Sequence, residues 1–158
     1  MRRTCEAEIL IDRPPEAVWA VVADVTRVGE WSGECRRAEW VAGAVEPAAR
    51  ARFRGHNRRA GLRWTRLNEV IVAEAPRELV WRTLPSGPYP DSVEWRLALS
   101  PEGNGTRVAE SYRIVHLPKP MEWLISVFFP PHRDRTRDLQ QDLARLRALV
   151  DAERSSTR

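Results

Sequence analysis

The chain has 158 residues, 42% of them hydrophobic and 30% charged, with a formal net charge of +4. That suits one soluble domain with a sound core, and no apolar run reaches the roughly 18 residues of a membrane span. The basic N-terminus lacks the apolar stretch of a secretion signal, and two cysteines, Cys5 and Cys35, make no disulfide framework, so a reducing, cytoplasmic setting is expected.

Residues 4–11 alternate, with Cys5, Ala7, Ile9 and Ile11 on one face and Glu6 and Glu8 on the other, which predicts a half-buried strand. Pro14, Pro15 and Glu16 then open a helix, with proline in its first turn and an acid near its positive end. Val18, Trp19, Val22 and Ala23 share its apolar face. Thr26 is placed to cap a second, short helix ending near Trp31, which Ser32 and Gly33 break, and Asp24 and Glu30, which flank that helix, are expected to serve as caps. Strands follow at 35–42, 50–56, 62–73, 78–84, 91–100 and 106–116, with turns at 57–61 and 101–105 among the connections. Consecutive strands joined this closely predict an antiparallel meander. In the last two, Val93, Trp95, Leu97 and Leu99 share one face, and Val108, Glu110, Tyr112 and Ile114 share another.

Prolines at 118, 120, 130 and 131 bracket a short, very apolar helix over 121–129. Over 132–152, Leu139, Leu143, Leu146 and Val150 recur at helical steps and form one stripe of a rod about 30 Å long. Such a helix is not stable alone and must lie on the sheet. Its other faces, Asp142 included, read as solvent-facing, and the tail from 154 is expected to fray. The predicted fold is α+β, with one domain over 1–158.

Seven tryptophans stand beside only two tyrosines. Trp64, Trp81 and Trp95 fall on successive strands, and Trp123 and Phe128 on the short helix that should close one end of the sheet. Core packing and a cavity wall both fit these positions. Glu110 lies on the face that should meet the long helix, where an acid is costly unless paired. Either it is bridged to an arginine or reaches water at a strand end, or it is a cavity acid that orients a ligand or moves a proton. His56, His116 and His132 have no metal-ligand spacing, and neither Ser92 nor Ser111 sits in a nucleophile motif. Gly103, Asn104 and Gly105 lie between strands and form a turn rather than a phosphate loop. No catalytic set, metal or cofactor is expected. The segment 50–66 carries seven arginines (Arg50, Arg52, Arg54, Arg58, Arg59, Arg63 and Arg66) and no acid. It would suit RNA or a protein partner, but Lys119 is the only lysine among 26 basic residues, which points to genome composition rather than a nucleic-acid stripe.

The order strand, two helices, six strands, long helix, with the stretches 11–19, 22–26, 29–32, 53–58, 64–70, 93–95 and 105–111, resembles the START-like, helix-grip superfamily. It is most similar to the polyketide cyclase/dehydrase and lipid-transport branch, especially small actinobacterial members. The resemblance implies a seven-stranded antiparallel sheet wrapped around the long C-terminal helix, with two short helices between the first two strands and an apolar cavity between sheet and helix. It also implies a lipophilic ligand (a lipid, polyketide or related molecule) and a monomer or homodimer. The expected cavity lining is Phe53, Trp64, Trp81, Trp95, Val108, Glu110, Tyr112, Met121, Trp123, Leu124 and Phe128. A minority of such proteins are aromatases or cyclases, so a cyclase using Glu110 and Tyr112 as proton-handling groups is the first alternative. An RNA- or protein-interaction module built on the 50–66 arginines is the second. Likeness of fold does not transfer a reaction.

Overall fold

The computed structural model describes residues 2–128 and 134–156. The chain runs β1 (Thr4–Ile11), α1 (Pro15–Val22), a single 3₁₀ turn (Val25–Arg27), α2 (Val28–Trp31), β2 (Cys35–Val41), β3 (Arg52–Arg59), β4 (Leu62–Glu74), β5 (Glu78–Thr83), β6 (Ser92–Glu102), β7 (Gly105–His116), α3 (Lys119–Phe128) and α4 (Thr136–Ser156). The strands form one seven-stranded sheet in the order β1-β7-β6-β5-β4-β3-β2, with every pair antiparallel. This is the helix-grip arrangement, with β1 returning to pair with β7 after the meander has been laid down.

Local chemistry sets the boundaries. Pro14 and Pro15 sit at the start of α1 with Glu16 in its first turn, which suits the missing proline N–H and the helix dipole. The next turn is capped by Asp24 rather than Thr26. The Asp24 carboxylate accepts from the Thr26 N–H at 3.0 Å and from its hydroxyl at 2.6 Å. Two hairpins are tighter than the sequence suggests. Pairing of β3 with β4 continues to Arg59 and Leu62, and that of β6 with β7 to Glu102 and Gly105. Ala60 and Gly61 both have positive φ, at 48° and 82°. A two-residue turn of that kind matches the right-handed twist of the flanking strands, so pairing runs on to its edge. The long helix continues to Ser156, past the point where a frayed tail is expected; the start expected for it at 132, the prolines at 130 and 131, and residue 129 lie outside the described residues.

Leu139, Leu143, Leu146 and Val150 are all at most 1% exposed. They pack in one cluster with Ile11, Leu97, Leu99 and Val108 and with Val18, Val21 and Trp31. Of the strands, α4 lies mainly on β1 and secondarily on β7, and it touches α1 and α2. It therefore covers one side of the concave sheet face and leaves the side formed by β3 to β6 to be covered by other elements. A smaller cluster of Val25, Ala38, Phe53, Val70 and Leu79 fills the far side beneath the 3₁₀ turn. The space between the two clusters is where the functional question lies. Among the described residues no helix is long and apolar enough to cross a membrane.

Candidate functional site

A cavity of about 500 Å³ opens between the sheet and the helices, within the roughly 300–1,000 Å³ usual for small-molecule sites. Its floor is the concave face of β3 to β7, because alternate residues of a strand point the same way. Phe53, Trp64, Trp81, Trp95, Glu110 and Tyr112 all line it. Aromatic rings run across the strands as a continuous row, and all of them but Trp40 line the cavity. Trp40 meets Phe53 at 5.8 Å between centroids, Phe53 meets Trp81 at 6.2 Å, Trp81 stacks on Trp95 at 6.2 Å, and Tyr112 meets Trp95 edge-on at 5.0 Å. The roof comes from α2, the start of α4, the loop carrying Tyr89 and Asp91, and α3.

On α3, Met121, Leu124 and Ile125 face the cavity, at the i, i+3, i+4 spacing of one helix face. Trp123 and Phe128 do not. They touch each other at 6.4 Å and are 64% and 61% exposed. Trp123 lies two residues and roughly 200° around the helix from Met121, and Phe128 lies about 10 Å further along it, so neither reaches the sheet. Val108 also departs from expectation. It is fully buried, but beneath α4 in the main core cluster and not on the cavity wall. Eight of the eleven expected lining residues thus share one cavity, and Val108, Trp123 and Phe128 lie elsewhere.

Polar groups missing from the sequence reading complete the site. Arg66 and Asn68 project from β4, Arg135 from just before α4 and Asp142 from α4, all at most 7% exposed. Arg66 donates to both Asp91 carboxylate oxygens at 3.0 Å and to the Asp91 carbonyl at 2.9 Å. Arg135 donates to Glu34 at 2.6 Å and lies over the rings of Trp95 and Tyr112 at 5.3 and 5.4 Å. Arg59 reaches Asp138 at 2.7 Å and Glu34 at 3.4 Å, and Arg135 reaches Asp138 at 3.4 Å. These four charges form a ring that ties β3 and the segment before β2 to the start of α4. Asp142, expected in solvent, accepts from the Gly33 N–H and from Arg145, each at 2.8 Å. The steps 135, 139, 142 and 146 are themselves helical, so Arg135 and Asp142 extend the leucine stripe.

Glu110 is 2% exposed, and its Oε2 has no hydrogen-bond partner among the described residues. Burial first, and the charge of Asp142 second, push its carboxyl up to about 8, with Arg135 opposing. At neutral pH it is therefore an uncharged acid with a proton to give. Burial raises the Tyr112 phenol to about 12, which keeps it neutral. The Trp31 Nε1–H, on a side chain 3% exposed that lines the same cavity, is also unpartnered among the described residues. No cluster of His, Cys, Asp and Glu among the described residues could hold a metal ion.

The arginines of 50–66 are distributed differently in space than in sequence. Arg52 pairs with Glu69 at 2.8 Å and Arg54 with Glu39 at 3.6 Å, while Arg59 and Arg66 belong to the networks above. Cross-strand pairing brings in acids that the segment lacks. His56 lies 3.3 Å from the Glu39 carboxylate, on the outer sheet face away from the cavity.

Gly29 sets the shape of the roof. A Cβ there would lie 2.1 Å from the Arg36 carbonyl oxygen, which belongs to the backbone of β2 and cannot swing aside. Gly29→Ala is therefore expected to push α2 off β2 and cost about 1–3 kcal/mol, read as a lower urea midpoint.

Similarity to known proteins agrees with this geometry. A family model described as polyketide cyclase / dehydrase and lipid transport matches residues 2–151. No curated protein matches the chain. Among solved structures, TTHA0849 from Thermus thermophilus superposes with a TM-score of 0.73 at 23% identity, over 95% of this chain and 98% of that one. The Zhui aromatase/cyclase from Streptomyces sp. R1128 gives a TM-score of 0.72 at 17% identity, over 94% and 93% of the two chains. The polyketide-cyclase-like protein Cgl2372 from Corynebacterium glutamicum gives 0.52 at 29% identity, over 94% and 85%.

Proposed function

We infer that this chain, which belongs to the polyketide cyclase / dehydrase and lipid transport family, binds one lipophilic small molecule between its sheet and α4. The observation that carries this reading is the cavity of about 500 Å³ walled by Phe53, Trp81, Trp95 and Tyr112. A protein interior is normally packed to crystal density, so a space this large beneath an aromatic wall is a feature to be explained by what fills it. The wall supplies apolar contact area, and the few polar groups fix orientation.

Native mass spectrometry of protein purified from its own host tests this. The expected result is a species heavier than the chain alone that loses its extra mass in organic solvent. Protein that carries no added mass and also takes up no apolar dye in the folded state contradicts it.

A second reading is favoured by one specific feature, Glu110 held as a neutral acid beside Tyr112 in the same cavity. A carboxyl that titrates near neutrality is suited to proton transfer, as a cyclase or aromatase acting on a poly-β-keto chain requires. Conversion of such a chain by the wild-type protein, lost in Glu110→Leu, supports turnover; retention of the chain unchanged supports a carrier.

A further inference from the structure

Four buried polar atoms of cavity-lining residues have no hydrogen-bond partner among the described residues: Glu110 Oε2, Trp31 Nε1, and the Nε atoms of Arg66 and Arg135, whose terminal nitrogens are already bonded to Asp91 and Glu34. Buried polar groups are nearly always paired, so Glu110 Oε2 and Trp31 Nε1 in one space mark where a partner belongs. Asp142 connects the two. Trp31 closes α2, Gly33 two residues later donates to Asp142 on α4, and Asp142 is near enough to Glu110 to act on its charge. We propose that Trp31 and Glu110 form a polar subsite that receives a neutral hydrogen-bond-accepting oxygen, a ketone, quinone or ester carbonyl, at the buried end of a flat conjugated ligand. This deepens the small-molecule reading above and rests on it.

Charge selects the oxygen. Arg135 is already matched by Glu34 and Asp138, and Asp142 by Arg145, so no free cation is left at this end among the described residues. A ligand carboxylate would face two acids, whereas a carbonyl can accept from the indole N–H and from the protonated Glu110 together. The flat body follows from the wall: Trp81 and Trp95 lie within 8° of parallel, with Tyr112 edge-on to Trp95, an arrangement that takes a planar ring system with favourable aromatic geometry.

The test compares methyl β-naphthyl ketone with β-ethylnaphthalene, which keeps the ring system and the two side-chain carbons but lacks the oxygen, by tryptophan-fluorescence titration at mildly acidic pH. The ketone is expected to bind at least about fivefold tighter, the scale of loss when buried partners are left unpaired. Glu110→Gln retains a donor and should keep the preference, whereas Glu110→Leu and Trp31→Phe should each reduce it, with circular dichroism confirming that the proteins are folded. Equal affinity of the wild-type protein for both probes overturns the subsite and leaves the cavity reading standing. A preference unchanged in both Glu110→Leu and Trp31→Phe also overturns it. Failure of both probes to bind overturns the small-molecule reading and the subsite with it.

Discussion

Leu143→Ala is expected to cost about 2–5 kcal/mol of folding stability. Leu143 is 1% exposed at the middle of the α4 stripe, packed in the cluster that joins α4 to β1 and β7. Truncation removes buried methyl groups and leaves a void that neighbours on a sheet and a helix can close only partly. Native stability is commonly only about 5–15 kcal/mol, so the loss is a large fraction of the whole. Urea unfolding should show a lower midpoint, while Arg147→Ala, on the exposed face of the same helix, should shift stability by no more than about 0.5 kcal/mol. A midpoint unchanged by Leu143→Ala would remove α4 from the core.

The second large effect concerns pH. The Glu110 carboxyl is raised from 4.5 to about 8 in the folded protein. A raised acid holds its proton in the folded state while the unfolded chain has already lost it. Its contribution to stability is thus fully present below about 4.5 and is lost as pH climbs through 8. A window of roughly 3.5 pH units at about 1.4 kcal/mol per unit gives a loss on the order of 5 kcal/mol. Glu110→Gln removes the titration, so its stability relative to wild type should rise between those limits and level off above the upper one. Urea midpoints of both proteins across the window measure this. A wild-type-to-variant difference that does not change with pH would mean that Glu110 ionises normally, and that it faces water.

The same group explains why the fold was legible in the sequence and the site only partly so. The alternation of Val93, Trp95, Leu97 and Leu99, and of Val108, Glu110, Tyr112 and Ile114, is a period-two signal that survives folding because one sheet face is buried along its length. The leucine steps of α4 carry the same certainty for a helix. Periodicity assigns a face, but it does not say what lies opposite that face. Val108 and Glu110 share a face of β7, yet α4 covers the first while the second opens on the cavity. Where the helix stops covering the sheet depends on how α4 sits on β1, a long-range contact that no local pattern carries. In α3, a helix apolar on nearly every side conceals which three residues turn inward; Met121, Leu124 and Ile125 do, and Trp123 is left outside. Charged residues misled for a related reason. Arg66 reads as one of seven arginines until Asp91, from a loop 25 residues away, meets it, and Asp142 reads as surface until α2 brings the Gly33 N–H to it.

A lipophilic molecule held between the sheet and the helices would sit against indole rings. The seven tryptophans make this testable at once, because Trp31, Trp64, Trp81 and Trp95 line that space while Trp19, Trp40 and Trp123 do not. The direct measurement is the shift of each indole N–H resonance as the uncharged dye phenylnaphthylamine is titrated into folded, nitrogen-15-labelled protein. The resonances of Trp31, Trp64, Trp81 and Trp95 are expected to move together and saturate with the dye fluorescence, while that of Trp123 stays in place. Saturable binding that moves Trp123 and leaves the four cavity tryptophans unshifted would place the ligand on the outer face of α3 and contradict binding between the sheet and the helices.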